Sequence, residues 1–264
     1  LIDLSFNKLS HFDNQYFYHL PISKIIVNNN NLSQMSFVKG DLWLGNDNNL
    51  EELECLFDGR ELVQINLNNN QIRVLRSYCF SLSNNLKLYY LRNNRIFRIE
   101  RYAFFKLIHL TDLDLSINNL SSLSSFVFND LKSLIYFNIS FNKLEFVYKD
   151  LISSLINLVV FDISNNRIKF IEQEAFFNLK YLRKLYLNNN LLTHIENSTF
   201  LGLESTKDIY ISKELFSNQE NILRIINSFQ PKIIRKVLDY RFFDSLNFYS
   251  LEKHKTFEIK NCLD

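Results

Sequence analysis

Residues 110–144 read LTDLDLSINNLSSLSSFVFNDLKSLIYFNISFNKL, and this stretch decides the fold. It holds two copies of the pattern L-x-x-L-x-L-x-x-N-x-L, the first starting at Leu110 and the second, 24 residues later, at Leu134. The alternating L-x-L segment is typical of a short strand, and the asparagine follows where the chain leaves that strand. A fixed period of this length predicts stacked repeats, none of which buries its apolar face alone.

The asparagine of this pattern recurs through most of the chain, as Asn7, Asn30, Asn70, Asn94, Asn118, Asn142, Asn166 and Asn190. Because an amide side chain both donates and accepts hydrogen bonds, we predict that these residues form a ladder that satisfies backbone groups of neighbouring turns. Between Asn30 and Asn70 we interpret a degenerate copy built on Leu42, Leu44 and Asp47. A further series lies ten residues after the asparagines and is predicted to stack behind the strands: Phe17, Phe80, Phe104, Phe128, Phe176 and Phe200.

In these features residues 1–203 resemble the leucine-rich repeat family, in the 24-residue subclass common in extracellular receptors and adhesion proteins. The resemblance implies an α/β solenoid shaped as a horseshoe. One short parallel strand per repeat would lie on the concave face, and the convex side would be irregular or formed by short helices. About nine repeats are expected, the first truncated and one degenerate near residues 35–50.

Residues 204–264 are predicted to form the last irregular repeat and a helical C-terminal cap. Residues 215–229 have the apolar spacing of an amphipathic helix that Pro231 ends, and residues 232–240 predict a second short helix. Extracellular members of the resembled family often close with a cap of two disulfides. This tail departs from that pattern, since it holds a single cysteine, Cys262.

The composition and the missing motifs argue against several functions. A hydrophobic fraction of 47% is enough for a core, and a formal net charge of +2 argues against a nucleic-acid partner. We found no phosphate-binding loop, no nucleophile elbow and no zinc-binding helix motif, and the five histidines do not converge. The longest apolar run, residues 155–163, is far shorter than a membrane span. We therefore expect no catalytic site, cofactor, metal or membrane span in this chain.

The three cysteines, Cys55, Cys79 and Cys262, are widely separated. This spacing predicts neither a pair of metal ligands nor a disulfide framework. An odd number leaves at least one thiol unpaired or paired outside the chain. Sister repeats carry Ala103 and Val127 at the position of Cys79, so we interpret Cys79 as a small buried residue. The pairing state of all three stays open.

The outward-facing strand positions form the candidate binding site. Tyrosine and tryptophan are the usual anchors of protein recognition, and Asp112, Asp114 and Asp162 would give the centre of the face a negative field that suits a basic partner. The alternative is that these aromatic rings pack along the sheet between repeats. The candidate ligand-binding residues are Trp43, Tyr90, Arg92, Asp112, Asp114, Tyr136, Asp162, Tyr186 and Tyr210.

Four glycosylation sequons, at Asn31, Asn119, Asn138 and Asn197, favour an extracellular or cell-surface location. The chain begins at Leu1, within a repeat, so we expect either a removed leader or a fragment. Our hypothesis is a non-enzymatic ectodomain of a secreted or membrane-anchored receptor or adhesion protein that binds a protein or peptide on its concave face. The alternatives are a cytoplasmic scaffold, which the scarcity of cysteine favours, and the regulatory arm of an enzyme. The exposed sheet face permits homodimers.

Overall fold

The computed structural model describes residues 1–12, 19–34, 40–53, 55, 59–196, 198–212 and 215, which form a solenoid built on one long parallel sheet. Each coil contributes one short strand, and successive strands pair in parallel. The ten strands of this sheet, in spatial order, are β1 (Ile2–Asp3), β2 (Lys24–Ile26), β3 (Leu42–Leu44), β4 (Gln64–Asn66), β6 (Leu88–Tyr90), β8 (Asp112–Asp114), β9 (Tyr136–Asn138), β11 (Val160–Asp162), β13 (Lys184–Tyr186) and β14 (Asp208–Tyr210).

The return segments, which connect each strand to the next, are mostly turns. They include two two-stranded parallel sheets, β5 (Val74–Leu75) with β7 (Arg98–Ile99) and β10 (Phe146–Val147) with β12 (Phe170–Ile171). The single α-helix within the described residues is α1 (Lys149–Ile152). The predicted C-terminal helices lie outside the described residues, apart from Leu215, although the main sheet continues to β14.

The core lies directly behind the main sheet. The middle residue of each strand from β2 onward points inward and is almost free of solvent contact, as for Leu113 at 0% and Phe137 at 1% exposure. Burying one such side chain stabilises the fold by about 1.5–3 kcal/mol. Because each of these residues packs against its counterparts in the neighbouring coils, stability is shared between adjacent repeats.

A second buried layer consists of the phenylalanines that follow the ladder asparagines. Phe80, Phe104, Phe128, Phe176 and Phe200 are each at most 2% exposed. The rings of Phe104 and Phe128 lie 5.6 Å apart, and those of Phe176 and Phe200 lie 6.1 Å apart and nearly parallel. Phe17 lies outside the described residues.

The predicted asparagine ladder is present as a set of hydrogen bonds between coils. In each inner coil the side-chain Nδ2 donates to a carbonyl of the preceding coil and to carbonyls of its own, as Asn142 does to Leu115 O and Ile139 O at 3.0 and 3.1 Å. Its Oδ1 accepts the backbone N–H of Leu120 at 3.0 Å. Asn30, Asn70, Asn94, Asn118, Asn166 and Asn190 make the same contacts. Asn7, in the first coil, bonds only carbonyls of its own coil.

The degenerate repeat differs from its prediction by one residue. Asn48, and not Asp47, occupies the ladder: its Nδ2 donates to Val27 O at 2.9 Å and its Oδ1 accepts Leu32 N–H at 3.0 Å. A carboxylate at this position would accept but not donate. Since strand side chains alternate, the one-residue difference moves Trp43 from the outer face to the core, where it is 0% exposed. Asp47 takes the preceding position, at φ 57°.

Candidate functional site

The outward side chains of the main sheet form two columns, which we call the strand face. Parallel pairing keeps equivalent residues in register from coil to coil. The first column is Asn66, Tyr90, Asp114, Asn138, Asp162, Tyr186 and Tyr210. The second is Gln64, Leu88, Asp112, Tyr136, Val160, Lys184 and Asp208. Most of the predicted site residues are therefore brought together on one surface.

Trp43 is the exception, and its assignment to the binding face was wrong. Trp43 pairs in register with the buried Ile25 and Ile65, and its ring packs edge-on against Phe12 at a centroid distance of 5.8 Å. Leu44 takes the outward position opposite Asn66. The sequence does hold a signal for the buried position of Trp43. Asn48 can donate the ladder hydrogen bond and Asp47 cannot, so Asn48 sets the register of this coil.

The aspartates of the first column have a structural role as well as a charge. Asp114 Oδ1 accepts the backbone N–H of Ser116 at 2.9 Å, and Asp162 Oδ1 accepts that of Ser164 at 2.9 Å. Asn138 makes the same turn contact with Ser140 at 3.0 Å, so the contact needs an oxygen acceptor and not a charge. The negative charge at these two positions is therefore additional to what the turn requires.

The second column adds Asp112, whose carboxylate accepts the hydroxyl of Thr111 at 2.7 Å. Within the described part of the chain, none of Asp112, Asp114 and Asp162 has a basic group within 4.0 Å. From β4 to β14, a range in which every strand is described, the two columns contain one basic residue, Lys184. The centre of the strand face thus carries three uncompensated carboxylates.

The tyrosines beside these carboxylates are partly buried and stay protonated. Burial, followed by the nearby charges of Asp112 and Asp114, raises the pKa of Tyr90. Burial also raises the pKa of Tyr136, whose Oη accepts a hydrogen bond from Asn138 Nδ2 at 3.3 Å. A neutral phenol beside a carboxylate offers a hydrogen-bond donor together with a flat apolar ring, which suits protein recognition.

At the C-terminal end of the strand face, the rings of Tyr186 and Tyr210 are stacked, with centroids 4.6 Å apart and an angle of 5° between planes. These two rings pack against each other along the sheet, between neighbouring repeats, which is the alternative to a binding role that the sequence left open. Burial is the first cause that raises the pKa of Tyr186. Stacking fixes both rings, so that they present a preformed aromatic surface.

Arg92 lies beside the two columns rather than in them. Its backbone N–H donates to Asn68 Oδ1 at 2.7 Å, and its Nη1 donates to Ser116 Oγ at 3.1 Å, across one coil. Its charge lowers the pKa of Tyr136, although this effect is smaller than the effect of burial. Arg92 therefore borders the acidic centre and does not neutralise it.

The sequons differ in accessibility. Asn31 is exposed, and its Oδ1 accepts from Asn49 while its Nδ2 is not a donor among the described residues. Asn119 is half-buried, its Oδ1 accepts Lys143 Nζ at 2.7 Å, and its Nδ2 donates to no described group. Asn138 is 7% exposed, its Nδ2 donates to Tyr136 Oη and its Oδ1 accepts the N–H of Ser140, so a glycan there would have to displace its contact with Tyr136. Asn197 lies outside the described residues.

The structure pairs two of the cysteines, whose pairing state the sequence leaves open. Cys55 and Cys79 form a disulfide between return segments of neighbouring coils, across a sequence separation of 24 residues. Cys79 is 4% exposed, so its burial agrees with the interpretation as a small core residue, but it is bonded and not free. The separation of 24 residues equals the repeat length that the sequence shows, and this is the signal that could have revealed the pair. Cys262 lies outside the described residues.

The described residues contain no cluster of three or more histidine, cysteine or carboxylate side chains arranged to hold a metal ion. No helix among them has the length and apolarity needed to cross a bilayer.

The fold and the strand face define a repeat solenoid with an open, side-chain-rich sheet surface. The family model described as leucine rich repeat matches four overlapping segments, residues 60–120, 84–144, 108–162 and 156–216, which together cover more than half of the chain. The chain belongs to the leucine-rich repeat family. A search of curated proteins found no match.

Proposed function

We propose that this chain is a protein-recognition module that binds a basic protein segment on the strand face between β6 and β14. The observation that carries the proposal is the group of three carboxylates, Asp112, Asp114 and Asp162, which have no ionic partner among the described residues and are set among the partly buried Tyr90 and Tyr136. Charge complementarity of this kind steers and orients a partner, and aromatic rings supply contact area at low entropic cost.

The rigidity of the face supports the same proposal. Each carboxylate is on a hydrogen-bonded strand, and Asp114 and Asp162 are fixed further by their turn contacts with Ser116 and Ser164. A preorganised surface loses little conformational entropy when a partner binds. The leucine-rich repeat family consists largely of non-catalytic interaction modules, which agrees with a binding role.

We assign the module to an extracellular or cell-surface protein of the receptor or adhesion type. The disulfide between Cys55 and Cys79 supports an oxidising compartment, because such bonds are rare in the cytosol. Asn31, which is exposed, and Asn119, which is half-buried, support glycosylation because their Nδ2 atoms donate to no described group. Expression through a secretory pathway, with intact mass before and after glycan removal, tests this assignment: glycans on Asn31 or Asn119 are expected, and a bare secreted chain would contradict it.

The binding proposal is tested with a displayed library of random 12-residue peptides. Selection on the wild-type chain is expected to enrich a class of peptides rich in lysine and arginine, and these basic peptides should bind a variant carrying D112N, D114N and D162N about tenfold or more weakly. At positions 114 and 162 asparagine keeps the turn acceptor, as Asn66 and Asn138 show at equivalent positions, and at position 112 it keeps an acceptor for the Thr111 hydroxyl, so the fold is preserved.

The matched control removes three negative charges elsewhere. Asp41, Glu61 and Glu204 are exposed, lie outside the strand face and form no ion pair among the described residues. A variant carrying D41N, E61Q and E204Q should bind the same peptides as the wild type does. Equal loss of binding in both variants would show a dependence on net charge alone and would refute the assigned site.

A further inference from the structure

A groove of about 700 Å³ lies on a flank of the solenoid that is distinct from the strand face. It follows the N-terminal ends of five successive strands, from β8 to β14. One row of its lining is the residue immediately before each strand, including Ile135, Val159, Arg183 and Lys207. The other row is the third residue before the strand, where short side chains such as Ser133 and Ser205 leave space.

The backbone of this flank is fixed by the repeat. The N–H of Val159 donates to Ile135 O at 2.9 Å, that of Arg183 to Val159 O at 2.8 Å and that of Lys207 to Arg183 O at 2.9 Å. Successive coils therefore place these side chains in a row about 4.8 Å apart. The groove is consequently a regular feature of the solenoid, and its chemistry is set by side chains alone.

The charges of the groove are opposite in sign to those of the strand face. Arg183 and Lys207 are exposed and form no ion pair with any described residue. No carboxylate is present among the lining residues. Lys132 and Lys180, also exposed, directly precede the lining residues Ser133 and Tyr181 in sequence.

The remaining lining groups suit an acidic ligand that also has apolar parts. The hydroxyls of Ser133, Tyr181 and Ser205 make no hydrogen bond within the described part of the chain, so they are available to donate to a carboxylate. Ile135, 45% exposed, and Val159 form an apolar stretch beside the two cations. A uniformly charged polyanion would leave this apolar stretch uncovered.

We propose that this groove is a second binding site, which takes an extended acidic segment of a partner protein. Carboxylates of the segment pair with Arg183 and Lys207, and an adjacent apolar side chain packs on Ile135 and Val159. The site is independent of the strand face, which selects basic residues, so the two surfaces select segments of opposite charge.

The test selects peptides from a displayed random 12-residue library on the chain carrying D112N, D114N and D162N, which removes competition from the strand face. Enrichment of aspartate or glutamate together with apolar residues is expected. The enriched peptides should bind a variant that also carries R183E and K207E about tenfold or more weakly. The matched control carries R95E and R167E instead, since Arg95 and Arg167 are exposed, follow the ladder at the other end of the strands and form no ion pair among the described residues.

Two further measurements distinguish a site for acidic peptides from a general polyanion site. Replacing Ile135 and Val159 by serine should weaken peptide binding severalfold and leave binding of sulfated dextran, a polyanion, unchanged. If the dextran binds as tightly as the peptides and the serine variant binds both normally, the groove is a general polyanion site and the proposal is wrong. Selection of peptides without acidic residues would also overturn it. Because the strand-face carboxylates are absent throughout, either outcome leaves the proposed function untouched.

Discussion

The side-chain Nδ2 of Asn118 lies 3.0 Å from the carbonyl oxygen of Leu91, one coil earlier, and 3.0 Å from that of Leu115 in its own coil. Its Oδ1 accepts the backbone N–H of Ile96 at 2.9 Å. One amide, 6% exposed, therefore joins two coils through both of its polar atoms. Because this contact repeats along the solenoid, each coil depends on its neighbours for the satisfaction of its backbone.

Replacing Asn118 by alanine is expected to lower the free energy of unfolding by about 2–4 kcal/mol, because several buried backbone groups lose their partners together. Urea unfolding followed by circular dichroism measures the change. The matched control is Asn7→Ala, since Asn7 is exposed and, among the described residues, its side chain bonds only Leu4 O and Ser5 O. The Asn7→Ala substitution should lower the free energy of unfolding by less than about 1 kcal/mol. Equal losses at both positions would contradict the importance of the bonds between coils.

Much of this architecture could be predicted from the sequence because the ladder and core positions are strictly periodic. The ambiguity arose where the period changes, between Asn30 and Asn70. Adjacent Asp47 and Asn48 both fit a ladder position there, and the choice between them decides whether Trp43 faces inward or outward. The hydrogen bond that Asn48 donates to Val27 O, which an aspartate could not donate, identifies Asn48 as the ladder residue.

The residue before each ladder asparagine adopts a left-handed backbone conformation, and three coils place a bulky side chain there. Asn or Asp occupies this position in six coils, at Asn29, Asp47, Asn69, Asn93, Asn165 and Asn189, whereas Phe6, Ile117 and Phe141 occupy it in the others. Ile117 has φ 53° and Phe141 φ 55°. A side chain that is β-branched or bulky is strained in this region, and asparagine tolerates it best after glycine.

We therefore predict that Ile117→Asn and Phe141→Asn each raise the free energy of unfolding by about 1 kcal/mol. Denaturant titration of the single variants measures the gain. The reverse substitution, Asn93→Ile, at φ 55°, should lower the stability by a similar amount. Unchanged or reduced stability of the asparagine variants would show that the apolar contacts of Ile117 and Phe141 outweigh the backbone strain.

The disulfide between Cys55 and Cys79 closes a loop of 24 residues across two return segments. Replacing both cysteines by serine should lower the stability by about 3 kcal/mol, since the unfolded chain then regains the entropy of the open loop. Alkylation of the native chain before reduction should modify at most one of its three cysteines. Modification of all three without reductant, or a serine variant as stable as the wild type, would contradict this pairing.

In the candidate site, the positions of the outward residues could be predicted from the sequence, but some of their side-chain contacts could not. The two columns that hold Tyr90, Asp112 and Asp114 follow from strand alternation and are placed as the period requires. Two features do not follow from it. The turn contact of Asp114 and the stacking of Tyr186 on Tyr210 depend on side-chain directions, which are set by packing and not by periodicity.

The tyrosines predict how the stability responds to alkaline pH. Tyr89 is fully buried behind the strand face, and burial raises its pKa well above the ordinary value of a phenol. The pKa values of Tyr90, Tyr136 and Tyr186 are raised to a lesser degree, again chiefly by burial. In the unfolded chain all four phenols ionise near their ordinary pKa of about 10.

The sign of the effect follows from proton binding. At a pH above about 10 the folded state still holds these protons while the unfolded state has released them, so deprotonation favours unfolding. The stability that comes from the protonated phenols is complete below pH 10 and is lost as the pH rises towards the folded pKa values. Urea unfolding at a series of pH values from 8 to 11 should show this loss. The Tyr89→Phe variant should show a smaller loss and no loss of stability at neutral pH, because Tyr89 Oη has no hydrogen-bond partner among the described residues. An identical alkaline profile in that variant would assign the effect to other groups.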